Sequence, residues 1–356
     1  MKRKFSLNLL LVSTFLFFCP HLSFPQKYLD YQDPQIKGFI LEGIEATFQE
    51  NYPLAESRFE TLIRMAPEDP AGYFFLAALY QAQMIDYESN FRKSDFYKNI
   101  KMAKKFARKR IKRDKKDAWA YLILGNAYGA KAVYDAKKGK WWSGLNGGLS
   151  AKSALKQAIK HDPELYDAYV GLGSYHFWAS VITRAFWWLP FIGDHRQKGI
   201  SEMKLAYEKS IFSSGAAASG LVWMYIREKE FDQAISLAQK MRSLYPQGKS
   251  FLWALAEAYF DKRDWNNALL KYQELLERVE KNHASKNPDQ SYNLIECKFF
   301  IATCLFSLGR YGECATLCQE ILNLPLNEEI KKRQETKLKK TQRLLEKSLE
   351  FVGRKD

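Results

Sequence analysis

The sequence predicts an all-α protein whose helices form one repeating array. Only 11 Pro and 19 Gly punctuate 356 residues, and few breakers in a long chain favour helices. The phrases Tyr121-Leu-Ile-Leu-Gly-Asn-Ala-Tyr128 and Tyr169-Val-Gly-Leu-Gly-Ser-Tyr175 lie 48 residues apart. Small residues recur at Ala55, Ala103, Ala151, Gly199, Ala234, Ala268 and Cys314, at intervals of 48, 48, 48, 35, 34 and 46. Self-similarity at such periods marks stacked supersecondary units. The composition, 47% hydrophobic, 27% charged and 15% aromatic, excludes a disordered polymer and a bundle of membrane spans.

The chain opens with a secretory pattern. Met1-Lys-Arg-Lys4 is a cationic start, and Phe5 to Cys19 follows as 15 uncharged residues dense in Leu and Phe. That run covers roughly 22 Å as a helix, short of the hydrocarbon thickness, so export is expected rather than a permanent span. Residues 1–26 are therefore assigned to the signal, and the protein to the periplasm or the exterior. Cys19 stands where a bacterial lipoprotein carries its acylated cysteine, but Phe17 and Phe18 occupy places where that motif prefers small residues.

Each recurring small residue precedes a turn signal: Ala55 leads to Pro67, Ala151 to Asp162-Pro163, Ala234 to Tyr245-Pro246. A small side chain lets two helices approach, and the proline ends the second. First-helix phrases carry Gly43, Ala77 with Tyr80, Leu124-Gly125 with Tyr128, Leu172-Gly173, Leu221 with Tyr225, Leu255-Ala256 with Tyr259, and Ile301-Ala302. This pattern resembles the tetratricopeptide repeat (TPR), a pair of antiparallel helices, over roughly residues 36–326. The resemblance implies a right-handed α-solenoid of about seven hairpins. Residues 327–356, with 10 Lys+Arg, 6 Asp+Glu and sparse apolar positions, read as a solvated helix capping the array.

Units two to four, about residues 70–214, are each 14 residues longer than the family norm. The added length lies between first and second helix. Shared by two helices it lifts the hairpin tips by roughly 10 Å. The added stretches are aromatic: Val133-Tyr134 with Trp141-Trp142, and Phe177 to Gly193, which holds one charge, Arg184, in 17 residues. Neighbouring tips are expected to pack their rings on one another.

Charge is uneven. The formal net charge is +15. Residues 25–91 carry 4 Lys+Arg against 11 Asp+Glu, whereas residues 92–116 carry 13 against 2. Lys104, Lys105, Arg108, Lys109, Arg110, Lys112 and Arg113 form a candidate basic surface for an anionic membrane or an acidic protein. Nucleic acid is disfavoured, since no base-reading module accompanies the patch. Four cysteines, Cys297, Cys304, Cys314 and Cys318, fall in one stretch. In an exported protein they suggest one or two disulfides, and they fit equally well as fillers of alanine-sized core positions. Their spacing does not match a zinc site.

In the family that the repeats resemble, first helices line a concave face. The inward positions here include Trp119, Asn126, Phe177, Trp178, Trp223, Trp253, Glu257, Phe260 and Phe299, an aromatic groove suited to a partner peptide or helix. The family's basic clamp for a C-terminal carboxylate finds only Asn126. Five scattered His, no phosphate loop and no nucleophile elbow give catalysis no foothold, and no metal or cofactor is expected. The functional expectation is an exported, non-catalytic interaction scaffold, with a carrier of a lipid, glycan or other apolar small ligand as the alternative.

Overall fold

The computed structural model describes residues 28–184, 193–283 and 289–353. Fifteen helices follow in order: α1 Pro34–Phe48, α2 Tyr52–Met65, α3 Pro70–Asp86, α4 Lys93–Arg113, α5 Ala118–Lys137, α6 Trp141–His161, α7 Ala168–Arg184, α8 Arg196–Lys209, α9 Ser214–Glu228, α10 Phe231–Leu244, α11 Ser250–Asp261, α12 Trp265–His283, α13 Ser291–Ser307, α14 Tyr311–Leu322 and α15 Glu328–Val352. They pair into seven hairpins followed by one closing helix, and each hairpin packs on the next. The structure is an all-α solenoid.

Local chemistry sets the boundaries. Asp33, Asn51, Asp69, Asp117 and Asn327 cap the starts of α1, α2, α3, α5 and α15 by accepting from backbone N–H groups. All seven recurring small residues are buried. At Gly199 the reason is sharp: a Cβ there would lie 2.7 Å from the Gly173 carbonyl oxygen, so α7 and α8 touch backbone to backbone. The second and third hairpins are long, with helices of 17, 21, 20 and 21 residues against 15 and 14 in the first. The added length falls mainly on α4, α5 and α6.

At the tip of the third hairpin the tryptophans stand out from the helices. Trp141 and Trp142 are 67% and 79% exposed, while Trp187 and Trp188 lie outside the described residues. Alanine and glycine fill the α5–α6 seam here: Gly144 and Gly147 meet Ala136 and Ala132, so the indoles lie outside that seam.

Two features bend the array. At the base, where one hairpin passes to the next, Leu29, Tyr31, Trp119, Leu165 and Phe212 converge: Tyr31 stacks on Trp119 at 4.3 Å, and Trp119 meets Phe212 edge-on at 5.5 Å. At the tips, turns of the first two hairpins reach across to bases of later ones. Phe48 stacks on Tyr245 and Phe251, with centroids at 4.9 and 5.9 Å. Glu50 pairs with the fully buried Lys249, whose Nζ also lies 3.1 Å from Asp86. Asn293 donates to the Asp86 carbonyl at 2.7 Å, and Arg333 pairs with Glu88 at 2.8 Å. Gly248 has no room for a side chain, since a Cβ would sit 2.0 Å from the Phe48 carbonyl oxygen.

Burial alone would neutralise Lys249, but Asp86 and Glu50 raise its ammonium pKa above the usual value. A raised cation contributes stability that is complete below its unfolded pKa and is lost only as the pH rises through the folded one, so this latch persists at neutral pH. Lys249→Ala leaves Glu50 and Asp86 facing each other without a counter-charge. It should cost about 3–5 kcal/mol in urea unfolding at pH 7; an unchanged midpoint would show that the latch does not form.

Candidate concave binding face

The first helices α7, α9 and α11 lie side by side. Their inward positions carry Trp178, Trp223 and Trp253. Trp178 and Trp223 are 38% and 39% exposed, although the cores of both helices are fully closed. Beside Trp223, the same face of α9 holds the small residues Ala216, Ser219 and Gly220 on one side and the exposed Arg227 one turn on. On α11, Trp253 is half-buried and meets Tyr272 edge-on at 6.2 Å. Glu257, one turn on, accepts a hydrogen bond from the Tyr272 hydroxyl at 2.9 Å. Burial pushes its carboxyl above the ordinary value, and the neighbouring Asp261 adds to the shift. The face is thus aromatic, with a partly protonatable acid at one end.

Other inward positions are occupied by the protein itself. Trp119 is buried in the basal junction. Phe177 is fully buried where α7 closes on Gly199 of α8. Neither can meet a partner: Tyr31 and Phe212 cover Trp119, and α8 seals Phe177. Asn126 is half-buried and faces α7 near Gly171. Phe260 packs between Trp265 and Phe300, at 5.3 and 4.9 Å. Phe299 lies under Lys337 of α15, 5.1 Å from its ring centroid. The closing helix covers the last stretch of the face, so the exposed rings belong to hairpins four to six.

The basic helix is partly engaged within the chain. Arg110 is nearly buried and bridges Asp69 and Asp117 at 2.6 and 2.7 Å, so it is no surface charge. Lys109 pairs with Glu68 at 2.6 Å. Lys104 and Arg108 sit over the Tyr128 ring, Lys105 over Phe106 and Arg113 over Tyr28. Lys112 is exposed. The acidic stretch at the α2–α3 junction and a set of π faces offset the repulsion among these cations.

Cys297, Cys304, Cys314 and Cys318 are buried free thiols rather than disulfides. They take alanine-sized places on α13 and α14. Burial pushes Cys297 and Cys304 up, the latter to about 12, whereas hydrogen bonding from Cys318 and from Ser348, the latter at 3.2 Å, lowers Cys314 to about 7. Intact protein should leave all four unmodified by an alkylating reagent, and unfolded protein should react at all four by peptide mass mapping; rapid labelling of the folded chain contradicts the packing.

Among the described residues no group of three His, Cys, Asp or Glu could hold a metal ion, and no helix is long and apolar enough to cross a membrane. His176 is buried, with Nδ1 2.5 Å from Glu202; burial lowers its pKa despite that carboxylate.

Residues 220–283, spanning α9 to α12, match the tetratricopeptide repeat family. Over these two hairpins the chain carries the tetratricopeptide repeat. A thermophilic TPR protein from Thermus thermophilus is similar over 63% of this chain and 99% of its own, at 17% identity and a TM-score of 0.41. Cut9–Hcn1, an APC/C hetero-tetramer, aligns with 85% of this chain at 14% identity and a TM-score of 0.51; the match spans 50% of that chain. A TPR protein from Parabacteroides merdae shares 13% identity over 88% of this chain and 98% of its own, with a TM-score of 0.35. These likenesses concern the fold. Comparison with curated proteins finds no match. TPR folds commonly serve as protein-interaction scaffolds and are generally non-catalytic.

Proposed function

We propose that this TPR solenoid is an exported, non-catalytic scaffold that captures a peptide or helix of a partner protein across hairpins four to six. The observation that carries this reading is the pair Trp178 and Trp223, each more than a third exposed on adjacent first helices, while Trp119, at the start of α5, is sealed into the base. Large exposed rings offer binding area at little entropic cost, and such anchors dominate interface energies. Glu257 supplies a polar group to fix register beside them. Export is inferred from the cationic, then apolar, N-terminal run.

The small-ligand carrier calls for an enclosed apolar chamber around the three indoles. A cleft of about 420 Å³ instead lies between α2, α3 and α4, lined by Glu60, Arg64, Asp95, Lys98 and Asn99 among others; the aromatic face offers the carrier no comparable support.

Partner proteins recovered with the wild-type chain from the envelope fraction of its host should be lost with Trp178→Ala/Trp223→Ala, whose circular dichroism stays unchanged. Against the purified partner, the double variant should weaken Kd at least about 30-fold, the effect of a 2 kcal/mol hot spot. Equal affinity would remove the concave face from the mechanism.

A further inference from the structure

Helix α6 carries a surface that the scaffold reading does not use. Two of its faces are committed. Gly144 and Gly147 close on Ala136 and Ala132 of α5, and Gly148 and Lys152 face Tyr175 of α7. Its remaining face, read at helical spacing, runs Trp142, Leu145, Leu149, Lys156, Lys160, and every one of these is exposed. Trp141 flanks the stripe at the tip. The first half is apolar over roughly 12 Å of helix, and the second half is cationic. From Ala136 to His161 the chain holds six lysines and no Asp or Glu. Lys138 and Lys140 lie at the tryptophan end, so positive charge borders the apolar stretch on both sides.

Exposed tryptophans beside leucines mark an interaction site rather than ordinary surface. A symmetric contact with a second copy of the chain would bring lysines against lysines. An apolar, acidic surface satisfies both halves, and the boundary of an anionic bilayer presents the two side by side: headgroups for the lysines, acyl carbons for the leucines, and an interfacial zone that favours tryptophan. An amphipathic helix with this layout lies in the plane of that boundary.

We infer that the outer face of α6, centred on Trp141, Trp142, Leu145 and Leu149, seats the protein on an anionic phospholipid surface. The helix that docks is therefore α6 and not the more basic α4, which exposes lysines and arginines but no large apolar side chain beside them. The inference does not depend on the concave-face reading, since α6 is a second helix and its stripe includes none of those residues.

Tryptophan quenching by brominated acyl chains tests it in the full chain. The leader contains no tryptophan, so its own insertion is invisible to this measurement. On vesicles of phosphatidylethanolamine and brominated phosphatidylglycerol, wild-type fluorescence should be quenched. Trp141→Ala/Trp142→Ala should lose at least half of the quenching without loss of helicity, and Lys156→Gln/Lys160→Gln should reduce it at least two-fold. Vesicles of brominated phosphatidylcholine alone should quench several-fold less. No quenching of the wild type, or equal quenching in the tryptophan variant, overturns the inference. So does a concentration-dependent dimer that Trp141→Ala/Trp142→Ala abolishes, which would assign the face to a second copy.

Discussion

The shape of this molecule depends on the seam joining the tips of its first two hairpins to bases laid down some 200 residues later. The tip turns place Glu50 and Glu88 in the left-handed region, at φ of 61° and 46°, a conformation that costs a non-glycine residue about 1–2 kcal/mol. Equivalent turns later in the chain use Gly139, Lys229, Arg263 and Gly309. The two glutamates differ from these in what their side chains do: one reaches Lys249 across 199 residues and the other Arg333 across 245. The same geometry that strains the backbone aims each carboxylate outward at the next turn of the coil. Buried ion pairs are poor sources of net stability but effective at fixing register. Phe48, stacked beside them, supplies the apolar part of the contact.

This seam changes the energetics of the array. A simple solenoid is stabilised by contacts between neighbours only, and its ends fray independently. Here hairpins one and two are tied to hairpins five, six and seven, so early and late units stabilise each other. The tight base follows from the same curvature. Tyr31, Trp119 and Phe212 meet there because three junctions converge, and that convergence removes Trp119 from any concave surface. The exposed rings that remain, Trp178 and Trp223, lie where the coil passes from its first half to its second.

Much of this was legible in the chain. The intervals between Ala55 and Cys314 encode hairpins, because a residue at the point of closest helix approach must be small in every unit. Proline and Asp-Pro turns locate the bases. The concave face was less legible: helical spacing says which way a ring points, and the superhelical curvature decides whether that direction is hollow or filled. Trp119, in the first turn of α5, reads from spacing as an inward ring like Trp223, but Tyr31 and Phe212 cover it. Arg110 was illegible for a related reason: it looks solvated in sequence, but Asp69 and Asp117 come to it from two other segments. Nothing local announces the seam, since Glu50 and Lys249 are ordinary surface residues until the coil completes a turn. Trp141 and Trp142 read as glue because aromatic runs recur at the tips, yet the glycines beside them do the packing.

A double-mutant cycle between Phe48 and Phe251 tests the closed coil most directly. The residues are distant in sequence and stack in the folded chain. Unfolding free energies of Phe48→Ala, Phe251→Ala and the double variant should be non-additive by at least about 1 kcal/mol, as for side chains in contact. Additivity within about 0.5 kcal/mol, the behaviour of independent sites, would mean that the two turns of the coil do not meet.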